Sequence, residues 1–237
     1  MRNRLIVAAA VACAWVAWAG SAPADDWAWP MATGYCCRGF GYVAEIFPPR
    51  SRQNPTEKAM CFFYAMGYPG REEWRIDARL VWKGELVNAG AYRMPYQAVV
   101  SMDGVLVTLN DYAKIGEANV VVIYDAGGKL VKSYPLDALV PKEDAGKFDS
   151  GLSGRWWNAE AKYYFLRDPA RLYVALKWGR VVEFMLKDGA FRYGAPADFP
   201  GLAAVMKNPY ANEQAEVWAT SLRFSSITDV LEARKQR

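Results

Sequence analysis

The chain contains no histidine. That absence removes the Ser-His and Cys-His forms of nucleophilic catalysis, histidine-ligated zinc centres, and the side chain that most often moves protons near neutral pH. Cysteine is sparse, with four in 237 residues: Cys13, Cys36, Cys37 and Cys61. Two of them are adjacent, a spacing that suits neither a four-cysteine zinc site nor the Cys-x-x-Cys pair of a redox centre. A surplus of one charge is lacking too. The 29 Lys and Arg against 25 Asp and Glu leave +4, too little for a nucleic-acid surface. Gly127-Gly128-Lys129 lacks the spaced glycine and the Lys-Ser/Thr ending of a phosphate loop, and it joins two apolar runs. No calcium loop with regularly spaced acidic residues is present either. The sequence therefore predicts neither a metal nor a cofactor.

After residue 24 no apolar run approaches the length of a membrane span. The run that does exist lies at the start. Arg2 and Arg4 precede an uncharged stretch from Leu5 to Ala19, and Ala22-Pro23-Ala24 is followed at once by Asp25 and Asp26. A positive head, a short apolar segment and small residues at −3 and −1 are the layout of a cleavable signal peptide over residues 1–24. An uncleaved anchor needs about 20 apolar residues, and Gly20, Ser21 and Pro23 interrupt this segment. A third reading makes Cys13, after Ala10-Val11-Ala12, a lipidated cysteine; the apolar run continues past it and the small-residue site comes later. The expected location is periplasmic or secreted, with no membrane span after cleavage. Removing 24 of the 237 residues leaves 213, enough for one domain over 25–237. Its net charge is about +2, because both leader charges are arginines.

In an oxidising compartment two of Cys36, Cys37 and Cys61 are expected to pair. A bridge from either member of the adjacent pair to Cys61 closes a loop of about 25 residues, worth roughly 3 kcal/mol by chain entropy. Adjacent cysteines seldom bond each other, since the intervening peptide is strained by the disulfide geometry. The remaining cysteine is left for a buried apolar site, an intermolecular link or a reactive thiol.

The body of the chain reads as strands and tight turns. Val99-Val100-Ser101-Met102 leads through Asp103-Gly104 into Val105 to Leu109, and Asp-Gly between apolar runs is a strong hairpin signal. Asn119 to Tyr124 turns through Asp125-Ala126-Gly127-Gly128 into Lys129 to Tyr134. Arg171 to Trp178 turns at Gly179 into Arg180 to Leu186, which turns again through Lys187-Asp188-Gly189 into Ala190 to Tyr193. Ala78 to Trp82 and Glu85 to Val87 bracket Lys83-Gly84 as a further pair. The fold class expected is mainly β, an antiparallel meander (partial propeller-like or sandwich) with a short C-terminal helix over about 226–237. Ser226 and Asp229 supply that helix's capping box, and Arg234, Lys235 and Arg237 suit its C-terminal end. Asp198 is expected to cap a short helix over Phe199 to Met206. Asp25 to Gly41 reads as irregular, Phe47 to Pro55 as a loop, Leu139 to Gly154 as a long connection, and Glu216 to Phe224 as either strand or helix.

Ala78 to Val87, Val121 to Val131 and Val182 to Phe191 share one plan, with Gly84, Gly128 and Gly189 unevenly spaced. The stretch from Asp103-Gly104-Val105-Leu106-Val107-Thr108-Leu109 through Asn119 to Asp125 and on to Gly128-Lys129-Leu130-Val131 resembles one blade of an NHL or quinoprotein-type propeller. It is also similar to stretches of exported bacterial proteins of unassigned function. The resemblance covers about a third of the chain and implies an exported meander that presents loops to a partner. It carries over no catalytic residue.

Aromatic residues make up 14% of the chain, and eight of the ten tryptophans follow the leader. Such side chains dominate cores and interfaces. Trp156 and Trp157 lie beside Arg155; in a strand, neighbours face opposite ways, so one ring is expected in the core and the other at a surface where it can stack on a sugar or anchor a protein. Arg155, Trp156 and Trp157 are the candidate binding residues. For catalysis the sequence offers only carboxylates, with candidates at turn or loop positions that include Glu45, Asp103, Asp111, Asp125, Asp168 and Glu183, and no pair stands out. The leading expectation is a non-catalytic envelope or secreted domain that binds a protein or cell-wall glycan through loops and aromatics. The alternative is a carboxylate-based glycan hydrolase.

Overall fold

The computed structural model describes residues 30–36, 41–50, 57–67, 77–87, 92–112, 115–151, 154–207 and 213–214. The expected signal peptide, Cys37, the 216–224 segment and the helix expected over 226–237 lie outside them.

Three antiparallel meanders follow one another along the chain. The first sheet runs in chain order through β1 (Thr33–Cys36), β2 (Tyr42–Phe47), β3 (Met60–Gly67) and β4 (Asp77–Glu85). The second runs through β5 (Pro95–Val100), β6 (Leu106–Asp111), β7 (Val121–Tyr124) and β8 (Leu130–Tyr134). After α1 (Leu136–Leu139), a 3₁₀ turn over Lys142–Lys147 and a small hairpin of β9 (Asp149–Gly151) and β10 (Gly154–Trp156), the third sheet begins. It consists of β11 (Lys162–Leu166), β12 (Arg171–Ala175), β13 (Val181–Met185) and β14 (Phe191–Gly194), with β15 (Glu213–Gln214) added beside β11. α2 (Pro200–Lys207) follows β14. The fold is thus mainly β, as the turn chemistry implies.

The period-2 alternation of strand side chains explains how the sheets stack. In the second sheet Val99, Val107, Leu109, Val121 and Ile123 face the third sheet, where they meet Phe165, Leu172, Val174, Val182 and Phe184. The intervening residues Ala98, Val100, Leu106, Val122 and Tyr124 face the first sheet and meet Tyr35, Ala44, Ile46, Cys61 and Phe63. Every residue of β6 and β7 is therefore buried. This is why those strands read as near-continuous apolar runs. The far face of the third sheet carries Tyr164, Tyr173 and Val181 beneath Phe199, Leu202 and Val205 of the α2 segment. One layer of aromatic rings, Tyr42 on Phe63, Phe63 on Trp82 and Trp82 on Tyr124, fills the junction of the first two sheets at centroid spacings of 5.6, 5.2 and 6.3 Å.

Four of the five expected turns are present, with Gly104, Gly128, Gly179 and Gly189 all at positive φ. The fifth is corrected. β4 runs unbroken through Lys83 and Gly84, with Gly84 opposite Cys61, because β3 supplies an extended partner for the whole segment and a bulge at Phe63/Tyr64 absorbs the mismatch. The 25–41 segment includes a strand, β1, and the 139–154 connection contains the β9–β10 hairpin. Asp198 does not cap α2. Its Oδ2 accepts the Ala195 N–H at 2.8 Å and closes the preceding 3₁₀ turn.

The register also bears on the thiols. Cys36 lies opposite Val43, which lies opposite Tyr64, whereas Cys61 is three residues further along β3. Two strand spacings and three residues of rise separate Cys36 from Cys61 by about 14 Å, far beyond disulfide reach. Cys61 is a free thiol, fully buried between the first two sheets. The expected bridge from Cys36 to Cys61 is thereby corrected.

Candidate binding site

The site is built around Asn110, one residue before the end of β6. Its φ of +57° turns the strand into the loop that follows, a conformation asparagine tolerates better than most residues. The backbone N–H donates to the Val120 carbonyl at 3.0 Å. The side chain then ties three segments together. Its Oδ1 accepts the Trp157 indole N–H at 2.7 Å and the Gly116 N–H at 3.2 Å, while its Nδ2 donates to Asn158 Oδ1 at 2.9 Å. From Asn158 the chain of bonds continues: Nδ2 donates to the Tyr163 hydroxyl at 2.8 Å and to Gln97 Oε1 at 3.4 Å. The Tyr163 hydroxyl in turn donates to Gln97 Oε1 at 3.3 Å. Burial pushes the Tyr163 hydroxyl pKa well up, and its bond to Asn158 offsets only part of that, so it stays a proton donor. The network links β5, β6, the β10–β11 turn and β11, and its two asparagines sit in the buried interior where unsatisfied groups would be costly.

A second tie lies beside the first. Ile115 pairs with Gly154 in a parallel bridge, and Arg155 N–H donates to the Ile115 carbonyl at 2.8 Å. A Cβ on Gly154 would stand 2.1 Å from that carbonyl oxygen, and φ there is +124°, so only glycine fits. Arg155 completes the tie by donating to the Gly116 carbonyl and to Asp137, both at 2.9 Å.

This frame holds a corner of aromatic rings. Tyr96 on β5 meets Trp156 of β10 edge-on, with centroids 5.5 Å apart and planes at 85°. Tyr112 lies 6.3 Å from Tyr96 and packs edge-on at 5.4 Å against buried Tyr92. Burial, with the hydroxyls of Tyr92 and Tyr96 nearby, raises the Tyr112 pKa and keeps it neutral. Tyr96 is 39% exposed; Trp156 and Tyr112 are half-buried.

The adjacent tryptophans divide between surface and core, although Trp157 lies in the turn after β10 and not in the strand. Trp157 is wholly buried as the anchor of the Asn110 network, and Trp156 stands at the surface. Arg155 is committed to the loop tie. Tyr96, Tyr112 and Asn110 were not singled out by the sequence; an Asn-Asp pair ending an apolar run was the available signal for a strand exit.

The six candidate carboxylates are spread over six elements. Glu45 is buried on β2, on the face away from the second sheet. Asp103 pairs with Arg167 at 3.2 Å in the β5–β6 turn. Asp111 is buried and accepts the Asn119 N–H at 3.3 Å. Asp125 Oδ1 accepts the N–H groups of Gly127 and Lys129 at 2.9 Å each, which shapes its own turn. Asp168 stands in the β11–β12 turn before a cis peptide to Pro169. Glu183 is fully buried on β13 between Arg171 and Arg192, both at 2.6 Å. Burial alone would raise the Glu183 pKa, but hydrogen bonds from Arg192 and Arg171 outweigh it and hold the carboxyl below its usual range, which suits an anion and not a proton donor. Among the described residues no three cysteine, aspartate or glutamate side chains gather as metal ligands would. No helix among them is long and apolar enough to cross a membrane.

The sequence matches no known family model and no curated protein.

Proposed function

We propose that the protein is an exported, non-catalytic binding domain of the cell envelope or secreted fraction, and that the Tyr96–Tyr112–Trp156 corner is its contact surface. The three meanders act as a partial, blade-like arc whose loops face the partner. The observation that carries this reading is an exposed tyrosine and a perpendicular tryptophan held by two adjoining ties, the Asn110 network and the Gly154 bridge. Rigid aromatics contribute large contact area at little entropic cost, which is why they serve as binding anchors. Trp157 and Arg155 serve by positioning the corner.

Affinity purification of the tagged protein from envelope fractions tests the proposal. The wild type should retain a protein or glycan partner that Tyr96→Ala and Trp156→Ala lose. Unchanged recovery with both variants would refute the assignment of the corner. Turnover of a glycan panel would favour a carboxylate hydrolase instead. Mass spectrometry of the mature N-terminus should find Asp25 first; a chain starting at an acylated Cys13, or one keeping its leader, contradicts cleavage after Ala24.

A further inference from the structure

We propose that the side of the protein formed by β4 and β8 rests on an anionic lipid bilayer, with aliphatic side chains in the headgroup boundary and cations on the lipid phosphates. This surface is carried by other elements than the aromatic corner, and it stands or falls separately from the corner's partner.

β4 and β8 are the outermost strands of the first and second sheets. They stand side by side: the Trp82 ring lies over Gly128, where a Cβ would stand 2.6 Å from it, and stacks on Tyr124 at 6.3 Å. Both carry one pattern, aliphatic residues bracketed by cations. It reads Arg79-Leu80-Val81-Trp82-Lys83 on β4 and Lys129-Leu130-Val131-Lys132 at the start of β8. Leu80 is 45%, Val81 37% and Leu130 42% exposed, so three of the six large apolar side chains exposed among the described residues lie here. Arg79, Lys83, Lys129 and Lys132 are exposed too, and none has an ion-pair partner among the described residues. The carboxylates described on these strands and their turns are committed elsewhere. Glu85 pairs with Lys58 at 3.6 Å, and Asp125 Oδ1 accepts the N–H groups of its own turn.

Lysine on an edge strand deters pairing with another chain. Aliphatic side chains between the cations would invite it, so guarding the edge accounts for only half of the pattern. A second copy would set cation against cation. A nucleic acid or an acidic glycan would engage the cations and leave Leu80, Val81 and Leu130 in water. A bilayer satisfies both parts: Lys and Arg stems lie along the apolar layer while their charged ends reach the phosphates, and aliphatic groups gain by entering the headgroup boundary.

The test is flotation of the purified protein with vesicles of phosphatidylcholine, alone or with about 30% phosphatidylglycerol. The wild type should float with the anionic vesicles at about 0.1 M salt, and stay behind at about 1 M salt or with neutral vesicles. Each cation is worth about a fivefold change in partition, so Lys129→Gln with Lys132→Gln should weaken binding about 25-fold. Leu130→Ser should weaken it about threefold or more at unchanged charge. Lys142→Gln, on the 3₁₀ turn, should leave it unaltered. Thermal unfolding confirms that the variants are folded; if the β8 pair is not, Arg79→Gln with Lys83→Gln gives the same reading. On anionic vesicles Leu130 should lose hydroxyl-radical labelling while Tyr96 keeps its own. No flotation, equal flotation with neutral vesicles, or binding that the charge variants retain would overturn the proposal. Heparin bound as tightly as the vesicles, with no effect of Leu130→Ser, would overturn the bilayer in favour of a polyanion. Recovery of an acidic envelope protein through Lys129 and Lys132, without flotation, would overturn it in favour of that protein. Tyr96-dependent recovery of a partner is untouched by any of these results.

Discussion

Asn110→Ala is the perturbation on which the site's construction can be worked through. The substitution removes the acceptor for the Trp157 indole N–H and the Gly116 N–H and the donor to Asn158. Trp157 is wholly buried, so its N–H finds no water in exchange. A buried donor left without a partner costs about 1–3 kcal/mol, and two donors are orphaned. Alanine at a φ of +57° adds about 1 kcal/mol. The expected loss is about 4 kcal/mol, a large part of the roughly 5–15 kcal/mol that holds a domain together. Urea unfolding followed by circular dichroism should show the midpoint fall by about 2 M with an unchanged slope, taking a slope of about 2 kcal/mol/M. Asn110→Gly loses the same bonds but adopts the left-handed backbone freely, so it should be about 1 kcal/mol more stable than the alanine variant. A loss under about 1 kcal/mol in Asn110→Ala, or a glycine variant weaker than the alanine one, would refute the reasoning.

Other consequences follow from the same geometry. Gly154→Ala should cost about 2–4 kcal/mol by thermal or urea unfolding, since a Cβ meets the Ile115 carbonyl and the backbone is one that only glycine adopts readily. Ser150→Ala in the same hairpin should be near neutral. Glu183 has its folded pKa depressed, so its contribution is present above the ordinary glutamate value, about 4.3, and is lost as pH falls through the folded value. Stability measured against pH should therefore drop on the acid side, and Glu183→Gln should shrink that drop while costing about 2 kcal/mol at neutral pH, discounted because both arginines are partly exposed. Cys61 is fully buried, and burial, with the Glu45 charge adding to it, raises its thiol pKa. Peptide mapping after treatment with a thiol reagent should find Cys61 unmodified in the native protein and labelled in denaturant; rapid native labelling would contradict the packing.

Hairpins were the legible part of this fold. Asp103-Gly104, Gly127-Gly128, Gly179 and Asp188-Gly189 mark turns because a positive φ is a local demand that glycine meets locally. Lys83-Gly84 carries the same letters and is mid-strand, since pairing along all of β3 outweighs the turn preference. The first sheet was the least visible. Tyr42 to Phe47 holds Glu45 within an apolar run and is buried at four successive positions, so no alternation announces a strand. Strand alternation leads to the expectation that one of Trp156 and Trp157 is buried, but Trp157 lies in the turn after β10, where its bond to Asn110 holds it in the core. The ring partners were not foreseeable: Tyr96 and Trp156 are sixty positions apart in sequence, and the approach of the β9–β10 hairpin to β5 brings them together. Asn110 escaped for the same reason, as its side-chain partners at Trp157 and Asn158 belong to a different sheet's approach.

Oxidative footprinting of the native protein, with and without envelope extract, addresses the corner most directly. Hydroxyl radicals label exposed tyrosine, tryptophan, leucine and methionine side chains. Labelling of Tyr96 and Trp156 should fall when the partner is bound, while Leu130 and Met206, exposed on other elements, keep theirs. Protection at Leu130 or Met206 with Tyr96 and Trp156 still fully labelled would mean that the partner sits elsewhere.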